Sequence, residues 1–521
     1  MECYNLPGFA IAAVRGEEAH IKGYGKMDIK NDIDVTGDSI FMIGSLTKAM
    51  TASLLAKVLP EKHMSSTWDT KVKDILGDSF KLSTEDLTNG VTIRDLLSHK
   101  TGLAAGIYGI FRGYSKNITA ARMVKKLRHL PSVKPLRLRF DYNQWTYMLA
   151  SHVTEVLAGG TESWEELMKR HLFEPLGMDS TVIGPNLSKL AANNKLALPY
   201  QFSNGKHEQM PLEIFDIHPA QAAGAAFSSA NDMAEWIKFL LRTPKQIVND
   251  TVFSQTMLST QHLNSVKGQM RPTFPVDMYD YGYGLGWFTS AYRGRKLVQH
   301  WGELFAYTAT LWLFPNSDVG IFVSTNGKIE GGGIPRELIV AFMADMMLGE
   351  NPWLNTKTAC VYPKPWISKP PKDLPHGTFP ELGSQRNLSE YVGVYGHRLL
   401  GDVKVFINES TKKLQLTLGE RVRAVLYPTA EKDVFRWELQ APLAFMNVEY
   451  PNYDSVHFME TKGKGMDSLV STAMEKQFVF KTDVRFADAS SATAMSRGVV
   501  WTKVAFVLIV DMLIFVYSCT W

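Results

Sequence analysis

The sequence predicts an α+β fold: an antiparallel sheet flanked by helices, with a helical subdomain inserted, and then a small C-terminal β-barrel. Two observations carry this. Strand-like patterns stand at both ends of the first 350 residues with helical patterns between them, and short β patterns resume after residue 386. In chain order, GFAIAAVRGEEAHIKGYG (8–25) sets two apolar runs around a Gly-Glu-Glu turn, which reads as a hairpin. A helical pattern follows Ser45 in FMIGSLTKAMTASLLAKVL. WTYMLASHVTEVLAG (145–159) and SSANDMAEWIKFLLR (228–242) are the clearest amphipathic helices of the middle region. Strands return between 281 and 326 as LVQHWG, AYTATLWLF and VGIFVSTN, with the turn PNSD between the last two. The helix IPRELIVAFMADMML closes the unit near residue 349.

Residues 351–385 have the composition of a linker, with seven prolines between 351 and 380. From 386 to 482, LSEYVGVYG, DVKVFINE, KLQLTLGE, RAVLYPT and DVFRWEL predict the barrel domain. A polar spacer (483–503) and an apolar tail (504–521) complete the expected organisation, with residues 1–350 as the main domain. Of 521 residues, 45% are hydrophobic and 21% charged, and the net charge is +4. There is no basic stripe, so nucleic acid is not an expected partner. The three cysteines, Cys3, Cys360 and Cys519, form no CxxC pair, and the histidines show no ligand spacing. No metal and no cofactor are expected.

The ends point to a membrane. VAFVLIVDMLIFVYSCTW, from Val504, carries Asp511 as its sole charge. With the small residues Ser490, Ser491 and Ala492 upstream it fits a lipid-anchor attachment signal, and a transmembrane helix is the alternative. Five N-x-S/T sequons, at Asn117, Asn186, Asn249, Asn387 and Asn408, lean toward a glycoprotein of the cell surface or secretory membrane. The chain as given opens without a signal-peptide pattern, so its true N-terminus is expected to lie upstream. Cys3 and Cys360 are then candidates for a disulfide.

The chemistry starts at Ser45 and Lys48. A serine hydroxyl needs a nearby base to act as a nucleophile, and positions i and i+3 share a helix face. A helix start also offers N–H groups to an oxyanion. Around that pair stand GSLTKAMTA, TIRDLLSHKTGL (92–103), FDYNQWTY (140–147), LFEPLGMDST (172–181), AAGAAFSSANDMAEW (222–236), YGYGLGWF (281–288) and HWG (300–302). In this order they resemble the serine beta-lactamase-related family: class C beta-lactamases, penicillin-binding proteins, D-aminopeptidases and family VIII esterases. The match is to its H-x-G branch, in a eukaryotic-type form with a C-terminal membrane tail. The resemblance implies a beta-lactamase/transpeptidase-like fold over roughly residues 6–345, with Ser45 as the acylated serine and Lys48 as its activator. Tyr142 would be a proton shuttle favoured by a neighbouring lysine cation, and His300 and Gly302 the strand motif. The backbone N–H groups of Ser45 and Glu303 would form the oxyanion hole.

The departures also matter. Gln144 stands where the family's Tyr-x-Asn motif has asparagine, Trp301 fills a position usually small, and Glu303 adds a carboxylate beside the oxyanion donor. These features disfavour anionic substrates and beta-lactams and leave a neutral ester or amide. His99 reads as support for a turn at a helix end. The leading expectation is a membrane-tethered serine hydrolase. The alternative is a catalytically inactive extracellular binding or matrix protein that keeps the fold.

Overall fold

A computed structural model describes residues 1–486, except 63–66, 106–107, 243–246, 249, 266–270, 329–333, 367–385, 450–454, 462, 464 and 472–477. Its centre is an antiparallel sheet of nine strands: β1 (Gly8–Arg15), β2 (Glu18–Asp28), β3 (Ile33–Asp34), β4 (Gln261–Ser265), β5 (Met278–Tyr283), β6 (Phe288–Tyr292), β7 (Arg295–Leu304), β8 (Tyr307–Phe314) and β9 (Val319–Thr325). Their spatial order is β3-β2-β1-β9-β8-β7-β6-β5-β4. The N-terminal hairpin therefore pairs with the last strand of the domain, Phe9 opposite Thr325 and Arg15 opposite Val319.

Both faces of the sheet are covered, so β1 is apolar and buried from Gly8 to Val14. Side chains alternate across a strand. Ala10, Ala12 and Val14 join the core beneath helices α1 (Thr47–Lys62), α3 (Gln144–Leu157) and α4 (Ala230–Arg242). Phe9 and Ile11 face the other way, onto Trp312, Ile321, Val323 and helix α5 (Ile334–Leu348). α4 buries Met233, Trp236, Ile237 and Leu240, one stripe at helical spacing. α1 is buried almost all round, with Met50, Leu54, Leu55 and Leu59 inaccessible or nearly so. The short helix α2 (Ile93–Leu97) starts with a capping box between Thr92 and Asp95.

The proline-rich stretch is not bare linker at its start. It forms helix α6 (Thr356–Val361), and Trp353, Tyr362 and Trp366 pack onto the core under α5. Cys360 on α6 is disulfide-bonded to Cys3, with Cα atoms 5.6 Å apart. The Tyr4 hydroxyl donates to the Ala359 carbonyl at 2.7 Å beside it.

The C-terminal unit is a closed barrel of eight strands, β10 (Gly393–His397), β11 (Gly401–Ile407), β12 (Leu414–Leu418), β13 (Val422–Pro428), β14 (Val434–Leu439), β15 (Ser455–Met459), β16 (Ser468–Ser471) and β17 (Val479–Lys481). β12 shows the alternation that fills it: Leu414, Leu416 and Leu418 are buried, while Gln415 and Thr417 are not. The barrel docks on the helical region. Tyr114 donates to the Leu399 carbonyl at 3.1 Å, Lys126 to the Phe486 carbonyl at 2.7 Å, and Arg112 to the Leu400 carbonyl.

The localisation read from the tail is corrected. Among the described residues no helix is long and apolar enough to cross a membrane, and 504–521 themselves lie outside the described residues, with most of the spacer. A membrane anchor is therefore not assigned. Of the sequon asparagines, Asn117, Asn186 and Asn387 are exposed and Asn408 is half-buried, while Asn249 lies outside the described residues. Asn186, Asn387 and Asn408 accept hydrogen bonds from the backbone N–H groups of Lys189, Ser389 and Ser410.

Candidate active site

Ser45 sits in a single 3-10 turn, Gly44–Leu46, that runs directly into α1. Gly44 has φ +52, and a Cβ there would lie 2.8 Å from the Glu303 nitrogen. Across from it, a Cβ on Gly302 would lie 1.9 Å from the Ile43 carbonyl oxygen and 2.8 Å from the Ser45 nitrogen. Two glycines thus let strand β7 press against the turn. That approach sets the Ser45 nitrogen close to Gly302 and the Glu303 nitrogen close to Gly44.

One helical turn after Ser45, Lys48 is fully buried. Its Nζ lies 2.9 Å from Ser45 Oγ and donates to the Ala223 carbonyl at 2.7 Å. Burial holds its pKa well below the ordinary 10.5. The sequence reading placed a lysine cation beside Tyr142, but desolvation favours the neutral amine. That amine sits over the rings of Tyr142 and Tyr147, 4.7 and 5.3 Å from their centroids. The segment before the Ser-Ser-Ala start of α4 is wrapped onto α1: Thr51 Oγ1 donates to the Ala222 carbonyl at 2.9 Å, and the Ala226 N–H donates to Thr47 Oγ1 at 3.1 Å.

Tyr142 is half-buried and precedes Asn143, the N-cap of α3. Asn143 accepts from the Trp145 N–H at 2.9 Å and donates to the carbonyls of Leu103 and Ala104 at 3.1 and 2.9 Å. Gln144 is the first residue of α3 and half-buried. An Asn directly before an apolar-periodic run is a helix-start signal that the sequence reading passed over.

His300 lies in β7 and is 1% exposed. Its Nδ1 is 2.6 Å from the Trp301 carbonyl oxygen, which can only accept, so Nδ1 carries a proton. In the neutral ring Nε2 then accepts from the Tyr283 hydroxyl at 3.1 Å. His300 is thus held on both sides by protein groups. Trp301 is half-buried and stacks on Phe288, with centroids 4.4 Å apart and planes 15° apart. Glu303, expected as an added carboxylate beside the oxyanion donor, lies 3.3 Å from Arg336 Nη1, and the same nitrogen donates to the Gly302 carbonyl at 3.3 Å. Arg336 is buried at the start of α5. The sequence offered no signal for this partner, because the pairing depends on how α5 crosses the sheet. Among the described residues no group of three His, Cys, Asp or Glu could hold a metal.

The beta-lactamase family model matches residues 1–341. The chain belongs to that family. It is 28% identical over 330 residues to an unguisins hydrolase of Aspergillus campestris, covering 63% of this chain and 59% of that one. It is 26% identical over 451 residues to an unguisins hydrolase of Aspergillus violaceofuscus, covering 80% and 76%. The chain thus spans about three fifths of the first relative's length and three quarters of the second's. Among solved structures it resembles the octameric penicillin-binding protein homologue from Pyrococcus abyssi, at TM-score 0.55, 21% identity and coverage of 91% and 96%. It also resembles a D-amino acid amidase from Ochrobactrum anthropi SV3, at TM-score 0.52, 20% identity and coverage of 66% and 93%. These two likenesses concern the fold, and the first extends across the barrel as well as the family domain.

Proposed function

We propose that this member of the beta-lactamase family is a serine hydrolase that cleaves a neutral ester or amide through an acyl-enzyme on Ser45. The observation that carries the reading is Lys48 Nζ at 2.9 Å from Ser45 Oγ, desolvated and fixed on the Ala223 carbonyl. A general base must lie within hydrogen-bond reach of the proton it takes, and burial shifts this amine toward its neutral, proton-accepting form. The hydrolase names of the first two relatives support the same class.

Ser45 Oγ bonds to the substrate carbonyl carbon as its proton passes to Lys48. The carbonyl π electrons move onto oxygen, which the N–H groups of Ser45 and Glu303 stabilise. The oxyanion then reforms the carbonyl, the bond to the leaving oxygen or nitrogen breaks, and the proton returns to that atom through Tyr142 or Lys48. Water repeats the sequence and frees the acid. His300 and Tyr283 brace the β7 edge in this scheme and do not exchange protons with substrate. The Arg336 side chain, already facing the Glu303 carboxylate, has reduced attraction for a substrate carboxylate.

The test is hydrolysis of p-nitrophenyl acetate together with covalent labelling by a fluorophosphonate. Wild type is expected to turn over and to label, and Ser45→Ala to do neither. Equal turnover by the two proteins overturns the reading.

A further inference from the structure

His99 grips the chain on both sides of Tyr142. It follows α2 in the left-handed region, with φ +58, so the backbone reverses there. The reversal lets the His99 carbonyl accept the Asp141 N–H at 2.9 Å. Its ring then turns back and Nδ1 accepts the Asn143 N–H at 3.0 Å. The residue between these two anchored amides is Tyr142, whose ring lies 4.3 Å from the imidazole centroid. Phe140, Tyr147 and Tyr283 close the remaining sides, with centroids at 5.4, 5.3 and 5.2 Å. The imidazole is inaccessible to solvent, and Nε2 has no hydrogen-bond partner among the described residues.

A histidine serving only the turn after α2 would need its backbone alone. Here the side chain spends its one acceptor on an amide 44 residues away and leaves its buried donor on aromatic faces. A nitrogen that accepts from N–H cannot carry a proton, so the ring must stay neutral with hydrogen on Nε2. Burial lowers its pKa well below the usual value and favours that form.

We propose that His99 is a positioning residue that fixes the Tyr142 phenol against Lys48 by clamping the peptides before and after it. The proposal rests on the acyl-enzyme reading for its kinetic consequence, but not for its structural one. Misplacing a reacting group by about an ångström can cost on the order of 10²-fold in rate. His99→Phe keeps an aromatic body and removes the acceptor. His99→Asn supplies an amide oxygen near the Nδ1 position, and asparagine tolerates the left-handed conformation.

With p-nitrophenyl acetate, His99→Phe is expected to lower kcat by ~10–100-fold with little change in KM, and His99→Asn to recover most of that loss. In a Tyr142→Phe background, His99→Phe is expected to add almost nothing, because both changes remove the same contribution. A fully additive loss, or a His99→Phe protein with wild-type kcat, overturns the proposal. A second readout needs no turnover. In protein labelled at tyrosine 13Cζ, with the resonance assigned through Tyr142→Phe, His99→Phe should shift or broaden the Tyr142 signal and His99→Asn should leave it in place. An unchanged signal in His99→Phe overturns the clamp even if wild type proves inactive. Failure of the Ser45→Ala control overturns only the acyl-enzyme reading.

Discussion

One wall of the cleft is built from a single short stretch, with Ser45 and Lys48 three residues apart at the start of α1. The facing wall, β7, depends on distant partners: His300 on Tyr283 seventeen residues before it, Glu303 on Arg336 thirty-three after it. The first wall holds the groups that would carry the reaction. The second holds a buried imidazole, a stacked indole and an ion pair. The difference teaches that the departures from the family pattern on β7 were absorbed into structure. On the proposed reading their functional consequence would be selectivity and support, with the proton transfers left to Lys48 and Tyr142.

That division can be broken most directly at Lys48. Lys48→Ala is expected to reduce kcat/KM for an aryl ester by ~10²–10⁴-fold, read in steady-state kinetics, with the fold retained by circular dichroism. A loss no larger than for changes on β7 would erase the distinction. The pH profile sharpens it. The base form of Lys48 prevails above its lowered pKa, so the rate should climb through that pKa and level off well short of 10.5. Stability carries the same sign. Between the lowered folded pKa and 10.5 the unfolded chain binds the extra proton, so this group's contribution to stability rises with pH across that window. Urea midpoints of wild type and Lys48→Met over the range would show the slope diminished in the variant.

Gly302→Ala comes next. The added methyl group would meet the Ile43 carbonyl at 1.9 Å. It is expected to force β7 off the Ser45 turn, at a cost of about 1–3 kcal/mol in stability and with acylation slowed in stopped-flow labelling. Tyr283→Phe removes the hydroxyl that donates to the buried His300 Nε2, at a cost of about 1 kcal/mol of stability by thermal unfolding. Only a minor change in kcat should accompany it, and a catalytic loss matching that of Lys48→Ala would return His300 to the proton-transfer machinery. The smallest effect is expected at Glu303. Glu303→Gln removes the nearer of two carboxylates paired with Arg336, the other being Glu337 at 3.6 Å. KM for a substrate ending in a carboxylate should fall several-fold, while KM for its neutral analogue stays level.

Much of this was legible in the sequence because it is local. The hairpin at 8–25 needs only alternation and a glycine turn, α4 only a stripe at 3.6-residue spacing, and the Ser45–Lys48 pair only one helical turn. The order of strands and helices was enough to give the antiparallel sheet and the inserted helical region. What stayed hidden depends on register across the sheet or on loops that meet from far apart. His99 looked like a turn residue because its acceptor role toward Asn143 exists only once the 99–103 loop and the start of α3 have met. Arg336 was one more charge on an apolar helix until β7 lay beneath it. The opening of the proline-rich stretch was misread as linker because composition does not show that Trp353 and Trp366 have a core to pack on. The apolar tail suggested a membrane location by hydropathy, a signal that nothing among the described residues accompanies.

The bond between Cys3 and Cys360 ties the family domain into a covalent ring of chain, with the barrel hanging outside it. Connectivity then differs on the two sides of Cys360. A protease that cuts once anywhere between the two cysteines leaves a nicked domain that still migrates as one piece until a reductant is added. A cut between Cys360 and the barrel severs the chain that joins the barrel to the family-domain ring, with or without reductant. Barrel and ring would then stay together solely through contacts such as those of Arg112, Tyr114 and Lys126.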